Sequence, residues 1–232
     1  MARQPLADLP PLPTLEFEQS LWQAGVFPTA GLDEAGRGAW AGPVAAAAVI
    51  LPPDDADLLK HLHGVRDSKQ MTARAREGFA AVIRETALAW GVGFASVEEI
   101  ETHGIVPATR LAMMRALQEC ALYPRHLLID ALRLPEIPLP QTSLIKGDAR
   151  SLSIAAASVL AKTARDALMR DLARQYPQYG FEVHKGYGTA RHRRALQQWG
   201  PCPLHRRTYR PVMHLSDLWK ASAAPHPEPA EP

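Results

Sequence analysis

Cysteine is scarce in this 232-residue chain: Cys120 and Cys202 are the only two, and neither belongs to a CxxC pair. Two such residues build neither a disulfide framework nor a four-thiolate zinc site. That usage suits a reducing compartment, and a cytoplasmic location is the expectation. Long apolar runs are missing too. The longest, residues 39–51, is interrupted by Gly42 and Pro43 and is shorter than the about 20 residues of a membrane-crossing helix. The opening stretch MARQPLADLPPLP lacks the apolar core of a secretion signal, so no membrane association is expected. An excess of one charge is absent as well: 26 Lys and Arg face 24 Asp and Glu, a net +2. Taken whole, that balance argues against a strongly basic nucleic-acid binder. No internal repeat is visible. At 47% apolar and 22% charged residues, the composition is that of an ordinary globular protein and excludes collagen, coiled coil and wholesale disorder.

Proline is the residue in surplus, with 21 in all. Pro5, Pro10, Pro11 and Pro13 crowd one end, and Pro225, Pro227, Pro229 and Pro232 the other. Residues 1–13 and 221–232 therefore read as extended or disordered tails. The domain division that follows is a Pro-rich extension over 1–20, one folded domain over 21–220 and a tail over 221–232. Between the tails, short apolar runs alternate with helical stretches. Strands are expected at 29–35, 44–51, 90–96, 126–130 and 142–146, and helices at 71–89, 108–121, 151–174 and 189–198. Alternation argues for an α/β fold with a mixed five-stranded sheet flanked by helices. The short first connection suits a hairpin better than a crossover.

Acidic residues occur where a core would prefer leucine. Asp33 and Glu34 end the run TAGLDEA, just before Gly36 and Gly38, and Asp130 ends HLLID. Asp166 falls in the long helical stretch, seven residues after Val159 and fourteen after Leu152, on nearly the same stripe. Each has an ordinary explanation. An aspartate at a strand end caps or turns the chain, and Asp166 has Lys162 and Arg170 one turn to either side. Together they suggest more. If the first and fourth strands are neighbours, Asp33 and Asp130 lie side by side, and a helix across the same end delivers Asp166. Clustered carboxylates repel unless protonated or bound to cations, and an all-oxygen set suits Mg²⁺ or Mn²⁺. Two such ions would suit phosphodiester hydrolysis. Adjacent strand residues point to opposite faces, so Asp33 and Glu34 share one site only if the strand ends or bulges there.

The segment Gly31 to Gly38 (GLDEAGRG), followed by Ala41-Gly42-Pro43-Val44, resembles the opening signature of ribonuclease HII. Further matches follow in order: Asp67-Ser68-Lys69, the strand ending at Asp130, Lys146-Gly147-Asp148, Ala155 to Lys162, Arg165-Asp166, Lys185-Gly186-Tyr187-Gly188-Thr189, His192, Gly200-Pro201 and His205-Arg206-Arg207. The resemblance spans roughly 27–215. It implies a ribonuclease H-like fold and cleavage of the RNA strand of RNA–DNA hybrids. Incision at single ribonucleotides embedded in duplex DNA, leaving 5′-phosphate and 3′-hydroxyl ends, is implied as well. It assigns four metal ligands to Asp33, Glu34, Asp130 and Asp166, and contact with the ribose 2′-hydroxyl to Gly36, Arg37 and Gly38. Junction sensing falls to Tyr187, and Lys69, Lys146 and Lys185 are further candidates for the substrate. The metal expected is Mn²⁺ or Mg²⁺, in a two-metal site. Ala131 departs from the family, where glycine commonly follows the third acid. A type HIII enzyme would carry an added N-terminal domain, for which residues 1–26 are too short. The tail shows no clamp-binding motif, and a monomer is expected.

Divided by position, the balanced charge separates. Residues 181–220 hold Lys185, Arg191, Arg193, Arg194, Arg206, Arg207, Arg210 and Lys220 against Glu182 and Asp217, a net +6, while residues 21–180 are neutral. The basic segment reads as a small helical appendage that holds a duplex backbone, or as a solvated basic face.

Overall fold

The computed structural model describes residues 9–222; the ends of both expected tails, 1–8 and 223–232, lie outside the described residues. The chain opens with helix α1 (Glu16–Gln23), then strands β1 (Thr29–Ala35) and β2 (Val44–Ile50). The short α2 (Leu58–His61), α3 (Ala73–Thr86) and β3 (Ala89–Ala95) follow, then α4 (Val97–His103) and α5 (Ile105–Gln118). Next come β4 (His126–Asp130), β5 (Gln141–Leu144) and the long α6 (Leu152–Gln175). Helices α7 (Phe181–His184), α8 (Ala190–Trp199) and α9 (Arg210–Ser222) complete the described chain.

The sheet order is β3-β2-β1-β4-β5. β1 pairs antiparallel with β2, and β2 with β3; β1 pairs parallel with β4, and β4 with β5. The expected mixed α/β sheet, the opening hairpin and the adjacency of the first and fourth strands are all present. β2 lies inside the sheet and reads VAAAAVI, with all seven residues at 0% exposure. A strand covered on both faces loses the polar half of its alternation, and alanine lets helices approach from either side. Even-numbered residues of β1 and β2 (Ala30, Leu32, Ala46, Ala48) pack with Ala112 and Met113 of α5, and odd-numbered ones (Ala35, Ala47, Val49) pack with Ala155 and Val159 of α6. At Gly31 the approach of α6 is so close that an added Cβ would stand 2.3 Å from the Ser153 backbone carbon.

Buried from Leu152 to Ala161, α6 starts at the cap Ser151, whose side chain accepts from the Ile154 amide. There the chain departs from the expected boundary. Glu18 of α1 is fully buried and accepts from the Ser151 and Ser153 hydroxyls, both at 2.6 Å, and from the Ser153 amide at 2.9 Å. A carboxylate is favoured at the N-terminus of a helix by the free amides and the dipole. Thr14 also bridges to Ser151. The folded domain therefore begins near residue 14, and the extension over 1–20 cuts through α1. The last proline of that end is Pro13, and a lone buried glutamate offers no apolar pattern that would mark α1 as part of the domain.

α4, α9, α1 and the short α2 and α7 were not expected as helices, and α5 begins at Ile105 rather than 108. Pro107 sits in its first turn, where the missing N–H costs nothing. Helices α7 and α8 pack through Phe181 and Ala195 on Met169 and Ala173, the distal half of α6. No helix among the described residues is long and apolar enough to cross a membrane.

Candidate active site

Two neighbouring strands carry acids at or near their ends. The β1–β4 register pairs Leu32 with Ile129, so its continuation sets Asp33 beside Asp130. Both lie on the α6 face, since Leu128 packs with Ile154 of α6. Asp33 is 4% exposed and accepts from the Glu34 amide at 2.7 Å. Burial first, then the charges of Glu34, Asp130 and Asp148, raise its pKa well above the usual carboxylate value. Asp130 accepts from the Gly147 amide at 2.7 Å. Burial pushes its pKa up despite that bond, and the charge of Glu34 adds to the effect.

Glu34 does not rely on a bulge. The β1–β2 ladder runs unbroken from Ala30 to Ala35, and the turn comes after it, at Gly36 with φ +95°. The side chain leaves the opposite face at the end of the strand, where its charge still reaches Asp33 and Asp130. One oxygen, Oε1, accepts from Arg37 Nη1 at 3.0 Å; the other, Oε2, is buried with no protein partner.

Asp166 is placed differently. It is 6% exposed, bridged to Arg76 Nη2 at 3.3 Å and bonded to Lys162 Nζ one helical turn back. Arg170, the other candidate for its ladder, pairs instead with Glu77. Arg76 also donates to the Ser68 and Met71 carbonyls, which ties Asp166 to the Asp67-Ser68-Lys69 turn. As the side chains stand, no three His, Cys, Asp or Glu among the described residues are gathered closely enough to hold a metal ion.

A further acid had no role in the sequence reading. Asp148, 8% exposed, follows Gly147, whose amide binds Asp130. Burial, then the charges of Asp67 and Asp130, push its pKa to about 6. It stands within the matched Lys146-Gly147-Asp148 segment, but a polar loop offers no periodicity that would mark it as buried. Lys69 faces this group: burial opposes its charge, yet Asp67, Asp33, Asp148 and Asp130 together raise its pKa. Lys146 is exposed. Lys185 Nζ turns back to the Glu182 and Val183 carbonyls.

Tyr187 is half-buried, with Lys162 Nζ and Arg165 Cζ each 5.4 Å from its ring centroid. It thus lies over the part of α6 that carries Asp166. Below it His192 and His205 meet Nε2 to Nε2 at 3.0 Å. Burial lowers their pKa values to about 4 and about 3, so both are neutral at physiological pH. Arg206 is fully buried. Part of the basic segment is therefore interior, and six of its eight cations remain exposed: Arg191, Arg193, Arg194, Arg207, Arg210 and Lys220.

A mixed five-stranded sheet backed by helices, with acids at the ends of its two adjoining parallel strands, places the molecule among the ribonuclease H-like hydrolases. A family model described as ribonuclease HII matches residues 30–212. The chain is 54% identical to the ribonuclease HII of Chloroflexus aggregans over 210 residues, 90% of this chain and 99% of that protein. It is 51% identical to that of Geobacillus kaustophilus, over 87% of this chain and 75% of that one. Among solved structures, the ribonuclease HII of Archaeoglobus fulgidus in complex with PCNA superposes with a TM-score of 0.68 at 28% identity, covering 81% of this chain and 96% of that one. The ribonuclease H2 of Pyrococcus horikoshii shares the fold at a TM-score of 0.70 and 24% identity, over 83% and 98% of the two chains. The chain belongs to the ribonuclease HII family. It is a divalent-metal-dependent ribonuclease H, acting on RNA–DNA hybrids.

Proposed function

We propose that Asp33, Glu34, Asp130 and Asp166 hold the metal ions of this enzyme, two Mg²⁺ or Mn²⁺, and that it incises at single ribonucleotides in duplex DNA as well as within hybrids. The observation that carries this reading is the unpartnered, buried Oε2 of Glu34, whose carboxylate charge reaches Asp33 and Asp130, two acids whose burial and mutual repulsion favour either protons or a cation. The donor set is oxygen only, which fits a hard divalent ion. When bound, such ions activate a water and neutralise charge on the scissile phosphate and the leaving oxygen. Asp33 and Asp130 are the central ligands. Asp166, engaged by Lys162 and Arg76, is the looser one. The products carry 5′-phosphate and 3′-hydroxyl ends.

The remaining roles belong to the chain's own groups. Gly36 and Gly38 let the backbone approach the ribose, whose 2′-hydroxyl separates RNA from DNA. Arg37, held by Glu34 Oε1, fixes that turn against the acids. Tyr187 stacks near the junction with the neighbouring deoxyribose. Lys69, drawn toward the acids by charge, meets a phosphate, and Lys146 and Lys185 are further contacts to the substrate. The basic stretch 181–220 holds the duplex backbone, and the chain acts as a monomer. The test is a duplex with one ribonucleotide, with and without Mg²⁺ or Mn²⁺, beside an all-DNA control. Asp33→Asn is expected to abolish cleavage and leave duplex binding largely intact. Full activity in that variant, or equal nicking of the all-DNA control by the parent, would overturn the reading.

A further inference from the structure

Two arginines are spent inside the protein. Arg165 of α6 and Arg206, between α8 and α9, are each 0% exposed. A buried guanidinium stays charged at large desolvation cost unless its donors are matched. Here they are matched by backbone carbonyls rather than by carboxylates. Arg165 donates Nε to the Pro43 carbonyl at 2.8 Å, Nη2 to Ala41 at 3.0 Å and Nη1 to Lys185 at 3.0 Å. Arg206 donates Nε and Nη2 to the Gly42 carbonyl at 3.0 and 2.8 Å, and Nη1 to the Arg37 carbonyl at 2.8 Å. Nη1 of Arg206 also meets the Tyr209 hydroxyl, which itself donates to the Arg37 carbonyl at 2.7 Å.

The backbone completes the arrangement. The Trp40 amide donates to the Gly186 carbonyl, the Gly42 amide to Leu204 and the Arg206 amide to Trp40, each at 2.8 Å. Segments 37–43, 185–187 and 204–206 are thereby one interlocked unit. One end carries the Gly36–Gly38 turn, tied to Glu34. The other carries Tyr187, whose ring lies 5.4 Å from the Arg165 guanidinium carbon. A planar fork fixes direction as well as distance, which an ammonium does not.

We propose that Arg165 and Arg206 are positioning residues for ribonucleotide recognition: they lock the Gly36–Gly38 turn and Tyr187 at a fixed spacing, so that a 2′-hydroxyl and the sugar beside it are read together. This rests on the roles given to that turn and to Tyr187 above. An RNA–DNA hybrid offers a 2′-hydroxyl at every register, so a loosened pair still finds productive positions. A single embedded ribonucleotide offers one register. Loss of the lock therefore falls on discrimination between the two substrates more than on the chemistry.

The experiment compares kcat and KM for a single-ribonucleotide duplex and a hybrid of equal length. The variants are Tyr209→Phe, which removes only the bridging hydroxyl, Arg206→Lys, which keeps the charge but not the fork, and Tyr187→Ala. For Tyr209→Phe and Arg206→Lys, KM for the single-ribonucleotide duplex is expected to rise about tenfold relative to the hybrid, with kcat less affected. Equal losses on both substrates, or none, would overturn the proposal, and Tyr209→Phe decides if Arg206→Lys fails to fold. A Tyr187→Ala variant with an unchanged substrate ratio would remove the reading beneath the proposal. A changed ratio there, with unchanged ratios in the other two, would overturn the lock alone.

Discussion

Ala131 follows Asp130 with φ +48°, in the left-handed region where an L side chain costs about 1–2 kcal/mol. That is the physical content of the departure from glycine at this position. The strain is tolerated because the Ala131 amide continues the sheet, donating to the Leu144 carbonyl at 2.9 Å. Ala131→Gly should stabilise the protein by about 0.5–1 kcal/mol, raising the melting temperature by about 2 °C with the acids undisturbed. A lower melting temperature in a calorimetric scan would show that the left-handed backbone is not strained. Single residues also mark where sequence patterns carry least information. Asp148, Arg165 and Arg206 are buried and polar, and a polar residue in a loop or on a mixed helix face gives no sign of burial until its partners arrive from elsewhere.

At the scale of elements, the contact of β1 with α6 governs the site, because one strand carries Asp33 and the helix carries Asp166. In Gly31→Ala the new Cβ would lie 2.3 Å from the Ser153 backbone carbon and 2.5 Å from the Ile154 amide nitrogen. Backbone cannot step aside as a side chain can. The expected loss is about 3 kcal/mol, and cleavage should fall further than stability because Asp33 and Asp166 move apart. Full activity at an unchanged melting temperature would contradict this packing.

Helix α4 supplies a pH dependence of its own. The Ser96–Glu99 capping box and the two bonds from Arg115 to Glu99, at 2.8 and 2.7 Å, hold the Glu99 carboxyl at about 2, with Arg115 the larger cause. A depressed carboxylate stabilises the fold above its ordinary value of 4.5, and that contribution is lost as pH falls from there toward about 2. Glu99→Gln should therefore cost about 1 kcal/mol near neutrality and almost nothing near pH 2. Melting curves of parent and variant that stay equally far apart at both pH values would rule this out.

For the molecule as a whole, the net +2 averages unlike regions. Neutral residues 21–180 hold the acids, and the exposed cations of 181–220 gather on α8, α9 and their connection. Arg206, His184, His192 and His205 of that stretch are interior, so the exposed positive charge is narrower than the count of basic residues suggests. Reversing Arg193 and Arg194 together to glutamate should raise KM for a duplex severalfold and flatten the dependence of binding on salt, with kcat nearly unchanged. An unaltered salt slope would place the duplex elsewhere.

Much of this architecture can be read along the chain. Periodicity and apolar runs are local properties, so the five strands, the opening hairpin, the long α6 and the candidate acids Asp33, Glu34, Asp130 and Asp166 all stand out before folding. The helices α4 and α9 and the true start of the domain do not, because α4 is only seven residues long, α9 mixes polar and apolar residues and α1 is anchored by a buried acid. What depends on residues distant in sequence was settled only by packing: that Asp33, Glu34 and Asp130 feel one another's charge, that Asp166 is neutralised by Arg76 ninety residues away, and that Arg165 and Arg206 turn inward. A charged side chain carries the same letter whether it meets water, phosphate or a backbone carbonyl, and only the folded chain determines which it meets.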